Sequence, residues 1–369
     1  MSKKSYGIIA SILAATLAVG VVAAVRARTV APASGSAGAA ALGTTPQSSV
    51  PAPATNANAL GRLLAVSPDG TGNGLPTYTA SATMASYSSW IKSKYPKQTS
   101  ATQSSDPATK YWALLIGLND YAGRTPDNVG SRQDAESMQT MLLKLGWRQD
   151  HIMLIRDRDG TASHIIDGIR WLASKTNSSS TAVFHYSGHE NWTRTTADGD
   201  NESRDVEIWA ADNRNIIDGT LGKEFNRIGA GRMWIDFATC RAAGFNDAGM
   251  IKSGRILTYS SPVSEYSYED PRLHHSVFSW FLVNQGMYGK KGDKNHDGTV
   301  TVEEAFAYAR PNVVSYTSSH QHPVMVDKLS GSLNLRVPPK PKPAPSSGSS
   351  GPAPAPSSTG PKTCVFVCV

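Results

Sequence analysis

Cysteine is scarce. Three occur in 369 residues, Cys240, Cys364 and Cys368, and only Cys240 lies in the central part of the chain. A lone central thiol has no partner there for a disulfide staple. That excludes a disulfide-framework domain and leaves room for a functional thiol. A basic stripe interleaved with aromatics is also missing, so nucleic acid is not an expected partner. The formal charge of +7 is mostly a property of the ends. Lys3, Lys4, Arg26 and Arg28 flank one apolar stretch, and Lys340, Lys342 and Lys362 lie in a Pro/Ser-rich tail. No internal repeat recurs along the chain, which excludes solenoids and propellers.

Membrane-length apolar runs are confined to residues 6–25, after Lys3 and Lys4. A cationic start followed by an apolar run reads as an export signal. The run is also about long enough to cross a bilayer, and Arg26 and Arg28 come directly after it. Residues 1–28 are therefore an export signal or a membrane anchor, and the protein is expected outside the cytoplasm, secreted or anchored through residues 6–25. Residues 29–109 begin rich in Ala, Pro, Ser, Gly and Thr, a composition that cannot bury enough apolar surface to fold. They read as a flexible linker or propeptide, with Tyr87, Trp90, Ile91 and Tyr95 able to pack on the domain downstream. Residues 338–369 form a second Pro/Ser-rich segment, ending in the apolar string Cys-Val-Phe-Val-Cys-Val.

Between these ends, residues 110–337 alternate strand and helix patterns. Residues 111–118 are a continuous apolar run ending at Gly117-Leu118-Asn119, a buried strand and a turn. Ala135, Met138, Met141, Leu142 and Leu145 make a helical stripe that stops at Gly146. Residues 152–155, 181–186, 233–237 and 255–259 read as further strands. A helix capped by Thr161 or Ser163 carries Ile165, Ile169 and Leu172 on one face. This alternation predicts an α/β fold, a mostly parallel sheet with helices on both faces. Ligand and catalytic groups then belong at the carboxyl ends of the strands.

Two strand ends carry chemistry. One runs into His185-Tyr186-Ser187-Gly188-His189, the other into Asp236-Phe237-Ala238-Thr239-Cys240-Arg241. If the two strands are neighbours, His189 and Cys240 share one sheet edge as a base and a nucleophile. Arg241 would favour the thiolate. His185 and His189 are four apart, as in zinc helices, but Ser187-Gly188 interrupts them, so His185 reads as a core residue.

The string Phe-His-Tyr-Ser-Gly-His, the Cys240-Arg241 step and the 51 residues from 189 to 240 resemble the caspase, metacaspase and legumain superfamily. Residues 113–121, Ala-Leu-Leu-Ile-Gly-Leu-Asn-Asp-Tyr, and Gln133-Asp134-Ala135 are similar to its first strand and helix. The resemblance implies a three-layer sandwich and a cysteine endopeptidase with protein or peptide substrates. It implies a dyad of Cys240 and His189, with the N–H groups of Cys240 and Gly188 holding the oxyanion. Asp134 and Ser187 then belong to the specificity pocket. Three positions depart from the family: Glu190 replaces a Gly, Ala238 replaces an Asp, and Arg241-Ala242-Ala243-Gly244 replaces an early Ser-Gly. Glu265 is a candidate for the missing pocket acid.

Residues 293–304 place Asp293, Asn295, Asp297, Thr299, Thr301 and Glu304 at the oxygen-ligand positions of an EF-hand calcium loop, with Gly298 at its turn. Ca2+ is the expected cofactor. A second acidic run, Asp198, Asp200, Glu202, Asp205 and Glu207, is similar to the loop of calcium-activated metacaspases and also reads as a solvated surface loop. Two rivals to hydrolysis stay open: a non-catalytic binding protein on the same scaffold, and a transpeptidase.

Overall fold

Residues 111–117 contain no charged side chain and no proline, and all but Tyr111 are buried. A run without a polar face can only be an internal strand. The computed structural model describes residues 63–65, 75–80, 87–99, 106–194, 205–247 and 249–340. The apolar run at 6–25, the acids Asp198, Asp200 and Glu202, and the thiols Cys364 and Cys368 lie outside the described residues. Among the described residues no helix is long and apolar enough to cross a membrane.

The chain begins with β1 (Leu64–Ala65), α1 (Ser89–Lys94) and α2 (Pro96–Thr99). The first half of the domain runs β2 (Tyr111–Gly117), α3 (Ser131–Lys144), β3 (Ile152–Arg156), α4 (Ala162–Lys175) and β4 (Thr181–Ser187). A small antiparallel sheet comes next, β5 (Glu190–Thr193), β6 (Asp205–Trp209) and β7 (Asn215–Ile217), then α5 (Asp218–Phe225). The second half runs β8 (Arg232–Ala238), β9 (Arg255–Tyr259), β10 (Tyr268–Asp270), β11 (His275–Ser276) and α6 (Val277–Ser279), continued by a π-helix, Trp280–Tyr288. It closes with α7 (Val302–Tyr316) and β12 (Val324–Asp327).

The central sheet has the order β12-β9-β8-β4-β2-β3. Five strands are parallel, and β12 is an antiparallel edge on β9. Helices cover both faces. A side chain added at Gly117 would strike Ser131 and Ala135 of α3, while one added at Gly168 of α4 would strike Leu114. Positions 114 and 117 point to opposite faces of β2, so α3 and α4 do too. The expected α/β sandwich is observed. Thr161 caps α4 by accepting from His164 N at 3.3 Å.

The N-terminus of α3 has no side-chain cap of its own at Gly130. Its donors are met from elsewhere. Asn119 Oδ1 accepts from Arg132 N at 2.8 Å, and Glu269 on β10 accepts from Val129 N at 2.7 Å and Gly130 N at 2.9 Å. A carboxylate at the positive end of the helix dipole is well placed.

The folded unit also reaches upstream of residue 110. Ile91 is fully buried in the main core. Tyr95 donates to Leu154 O at 2.7 Å, and Trp171 Nε1 donates to Gln98 O at 3.0 Å. Trp90 stacks on His164 with centroids 3.5 Å apart. The aromatic cluster at 87–95 therefore covers the α4 face of the sheet. Truncating Ile91 to Ala removes three buried carbons from that cover. Ile91→Ala should lower stability by about 2–4 kcal/mol, read as a lower denaturant midpoint with an unchanged slope.

Candidate active site

Strands β4 and β8 are nearest neighbours and run parallel, with Ser187 opposite Ala238. His189 and Cys240 each stand two residues beyond that pair. A parallel register thus delivers both groups to one edge at the same height. Thr239 Oγ1 donates to Gly188 O at 2.7 Å and ties the two exits together. Gly188 has no space for a side chain: a Cβ would lie 2.7 Å from Tyr186 Oη and 2.8 Å from Tyr121 Oη.

Those two phenols hold the backbone of His189. Its N–H donates to Tyr121 Oη at 2.7 Å, and its carbonyl accepts from Tyr186 Oη at 2.5 Å. Burial pushes both phenols well above their ordinary range, so they stay protonated. The imidazole stacks on Tyr121 with centroids 4.4 Å apart and lies 5.6 Å from Trp209. Its Nε2 is 2.7 Å from Pro126 O. A carbonyl can only accept, so Nε2 carries the proton and the neutral ring keeps its lone pair on Nδ1.

Cys240 is fully buried. Ser267 N donates to its Sγ at 3.3 Å, and Sγ donates to Ser267 O at 3.5 Å. Ser267 is held in turn by Gln321 Nε2, which donates to its Oγ at 3.1 Å.

Arg241 does not stand as an uncompensated charge beside the thiol. Its guanidinium pairs with the buried Glu190 carboxylate and lies 4.9 Å over the Tyr266 ring. Burial opposes the Arg241 charge most, but Glu190, Tyr266 and Cys240 together outweigh it, so its pKa is raised. Cys240 is among the groups that favour the Arg241 charge, so the electrostatic link to the thiol survives the pairing. Glu190 opens strand β5, opposite Ile208, in extended conformation. The position therefore needs no glycine, and its carboxylate has an assigned partner.

The pocket acids sort differently from their sequence positions. Asp134 accepts from Ser187 Oγ at 2.8 Å and from Ser276 N at 3.1 Å, so Asp134 and Ser187 do meet. Glu265 does not join them. Its carboxylate receives His322 N at 2.8 Å and lies 2.9 Å from His322 Nδ1, while its carbonyl accepts from Arg241 N at 2.9 Å. The acid electrostatically coupled to Asp134 is Glu269, which also accepts from Ser131 Oγ at 3.1 Å. Beneath them, His185 Nδ1 lies 2.7 Å from Asp236 Oδ2, and both are fully buried. Asp236 thus serves the sheet interior, as a core role for His185 requires.

A further acidic group lies beside β5–β7. Burial, then Asp247, pushes Asp218 up to about 9, and Asp205 adds to the rise. Glu207 is raised to about 7 by burial and by Asp205. Asp205 and Glu207 stand out in the sequence as part of an acidic run. Asp218 and Asp247 do not, because they come from distant segments. Pro126, Ser267 and Glu269 are equally silent in the sequence. A backbone carbonyl has no sequence signature, and the other two lack any motif. Tyr121, Tyr186 and Thr239, by contrast, stand in recognised strings.

In the 293–304 loop, Asp293 accepts from Asp297 N at 3.1 Å and Gly298 N at 3.0 Å, and Asp297 accepts from Thr299 N at 2.8 Å. Gly298 turns the chain at φ +83. Glu304 accepts from Thr301 N at 3.0 Å, completing a capping box on α7. Among the described residues no three His, Cys, Asp or Glu side chains are gathered as a metal shell. The donors are the hard oxygens calcium takes, so the set fits in chemistry, with Glu304 engaged on its own helix.

Burial holds Asp134 at about 7, and burial with the Asp134 charge holds Glu269 at about 7. An acid raised in the folded state adds stability below its unfolded pKa of about 4 and loses it as pH rises through about 7. The melting temperature should fall between about pH 4 and 7. Asp134→Asn should flatten that fall in a calorimetric pH series.

The family model of the caspase domain matches residues 110–333. Metacaspase-1 of Schizosaccharomyces pombe is 28% identical over 168 residues, 40% of this chain and 39% of that protein. Metacaspase-1 of Scheffersomyces stipitis is 35% identical over 98 residues, 25% of this chain and 24% of that protein. The chain thus spans well under half the length of these curated relatives. A solved structure, protein GSU0716 from Geobacter sulfurreducens, aligns with a TM-score of 0.47 at 16% identity, covering 60% of this chain and 94% of that one. With the caspase-domain model matched over more than half its length, this chain belongs to the caspase-domain peptidase family.

Proposed function

We propose that the protein is an exported cysteine endopeptidase that cleaves peptide bonds with Cys240 as nucleophile and His189 as base. One observation carries the reading. The Nε2 proton of His189 is committed to Pro126 O, so Nδ1 is the basic nitrogen, on an edge shared with the thiol. His189 Nδ1 takes the Sγ proton as sulfur attacks the substrate carbonyl. The N–H groups of Cys240 and Gly188 receive the oxyanion. The imidazolium then gives its proton to the leaving amine, and water, activated by the same Nδ1, releases the acyl group. Asp134 beside Ser187 supports a preference for Arg or Lys before the cleaved bond. Glu190 and Ala238 are the sequence arguments for a purely binding role, and Glu190 is paired with Arg241.

Calcium support belongs to the same proposal. Asp293, Asn295, Asp297, Thr299, Thr301 and Glu304 would hold the ion, which would brace the turn between the π-helix and α7. The acids around Asp218 are a second seat, favoured by their mutual repulsion.

Hydrolysis of a fluorogenic Arg-containing peptide tests the chemistry. Cys240→Ala and His189→Ala should each lower kcat by about 10³-fold or more, with folding unchanged by circular dichroism. Wild-type activity in Cys240→Ala would refute the assignment. A peptide library should show Arg or Lys before the cut, and a preference for Asp would remove the role given to Asp134. For calcium, a dissociation constant in the 10⁻⁴ to 10⁻³ M range typical of extracellular modules predicts about 1.4–2.7 kcal/mol of stabilisation at roughly 10 mM ion. Glu304→Gln should abolish the thermal shift. A shift that survives there but disappears in Asp218→Asn would move the ion to the second seat.

A further inference from the structure

The far end of α3 carries a cavity that the peptidase chemistry does not use. It holds about 360 Å³ and lies between the last turn of α3, the end of the π-helix and the turn at 298–300. Asp134 and Lys144 are ten residues apart on α3, about 15 Å along a helix that rises 1.5 Å per residue, so the cavity is separate from the active site. Met141, Leu145, Met287 and Val300 give it apolar walls. Met141 and Met287 are buried, and thioether side chains adapt to ligands of varied shape. Tyr288 also lines the cavity and is 51% exposed, a large apolar side chain left open to solvent.

The charge around this apolar interior has one sign. Lys144, Lys290 and Arg336 line the cavity, and no carboxylate does. None of the three has an ion pair among the described residues. Two of them are held in place. Lys290 Nζ donates to Gly298 O at 3.3 Å. The backbone on both sides of Arg336 is tied down, because Val337 N donates to Leu145 O at 2.9 Å and Leu335 O accepts from Trp147 Nε1 at 2.7 Å. The carbonyls that end α3 are already engaged and do not oppose an anion. Leu142 O accepts from Trp147 N, and Leu143 O accepts from Gly146 N.

We propose that this cavity binds a small amphiphilic carboxylate, its apolar body among Met141, Met287 and Leu145 and its charged end on Arg336 and Lys144. Charge complementarity selects the occupant. A neutral apolar molecule would leave three cations unanswered, and a bare anion would forgo the apolar walls. The planar fork of Arg336 suits a carboxylate, which it can meet with two parallel hydrogen bonds. The volume is at the small end of ligand pockets, which run from about 300 to 1,000 Å³, so the ligand is small. Neither the catalytic pair nor calcium is needed for this binding.

The test titrates decanoate, below its micelle concentration, into the full chain labelled at its methionine methyls. NMR reads the binding, with Met141 and Met287 assigned through their Leu variants. Decanoate should shift those two methyls with a dissociation constant of about 0.1–1 mM, the range open to about a dozen non-hydrogen atoms. Decanol, acetate and decyltrimethylammonium, which lack the charge, the apolar body or the sign, should each bind about tenfold more weakly or worse. Lys144→Gln with Arg336→Gln should cost decanoate about tenfold or more. Both positions are exposed, so the core is spared and the melting temperature should hold. Decanol binding as tightly as decanoate would overturn the proposal, as would undiminished affinity in the double variant. Unmoved Met141 and Met287 methyls at about 10 mM decanoate, tenfold above the expected range, would do the same. Two other occupants are separable. Tighter decanoate binding in Phe366→Asp would give the cavity to the chain's own apolar string at 364–369. Affinity that falls as protein concentration rises would give it to a second copy of the chain. Either result would reject a small ligand as the natural occupant.

Discussion

The parallel pairing of β4 with β8 is the constraint on which the site depends. His189 follows one strand and Cys240 the other. Side chains alternate along a strand, so a slip of one residue would turn every side chain of β8 to the other face. Cys240 would then lose its place level with His189. The register is guarded from within. His185 and Asp236 are opposite each other across the same ladder and bonded at 2.7 Å, and Asp236 is bonded onward to Thr258 on β9. A slip would leave these fully buried polar groups without partners, a penalty of about 1–3 kcal/mol or more for each group. The polar row in the core thus acts as a pin for the chemistry at the strand ends.

The exits from these strands are built for rigidity. Tyr121 and Tyr186 bracket the His189 backbone, and Thr239 ties the Cys240 turn to Gly188. Arg241 sits at φ 49, a left-handed conformation uncommon for a residue with a side chain. Its N–H bond to Glu265 O and its ion pair with Glu190 hold it there. Two departures from the family pattern, Glu190 and the segment after Cys240, are therefore one feature. The carboxylate and the guanidinium answer each other, and each alone would be an uncompensated charge near the thiol.

Much of the fold was legible because apolar runs and helical stripes are local signals. The strands expected at 111–118, 152–155, 181–186, 233–237 and 255–259 lie within a residue or two of those observed. The helix stripe through Ala135 and Leu142 and the Thr161 cap are also where the pattern put them. Strand order is not local, and the condition that the His and Cys strands be neighbours needed the fold. The pairing of acids was the least legible part. Glu265 and Glu269 are four residues apart in sequence, yet one bonds His322 and the other bonds the start of α3. No pattern in the sequence tells which carboxylate turns inward.

The substituted acid shows why such a choice is physical rather than sequential. With Ala238 at the strand end, β8 places no carboxylate opposite Ser187. Asp134 remains, held by Ser187 and Ser276, and Glu269 adds a second buried acid from another sheet. Glu269 is tolerated there because its carboxylate also answers the open donors at the start of α3. A charge that meets a helix terminus offsets part of its own desolvation. The same residue lies opposite Leu64 on β10. Acid placement, helix capping and the pairing with β1 therefore converge on one strand of three residues. Changes there would be felt by Asp134, by the start of α3 and by β1 together.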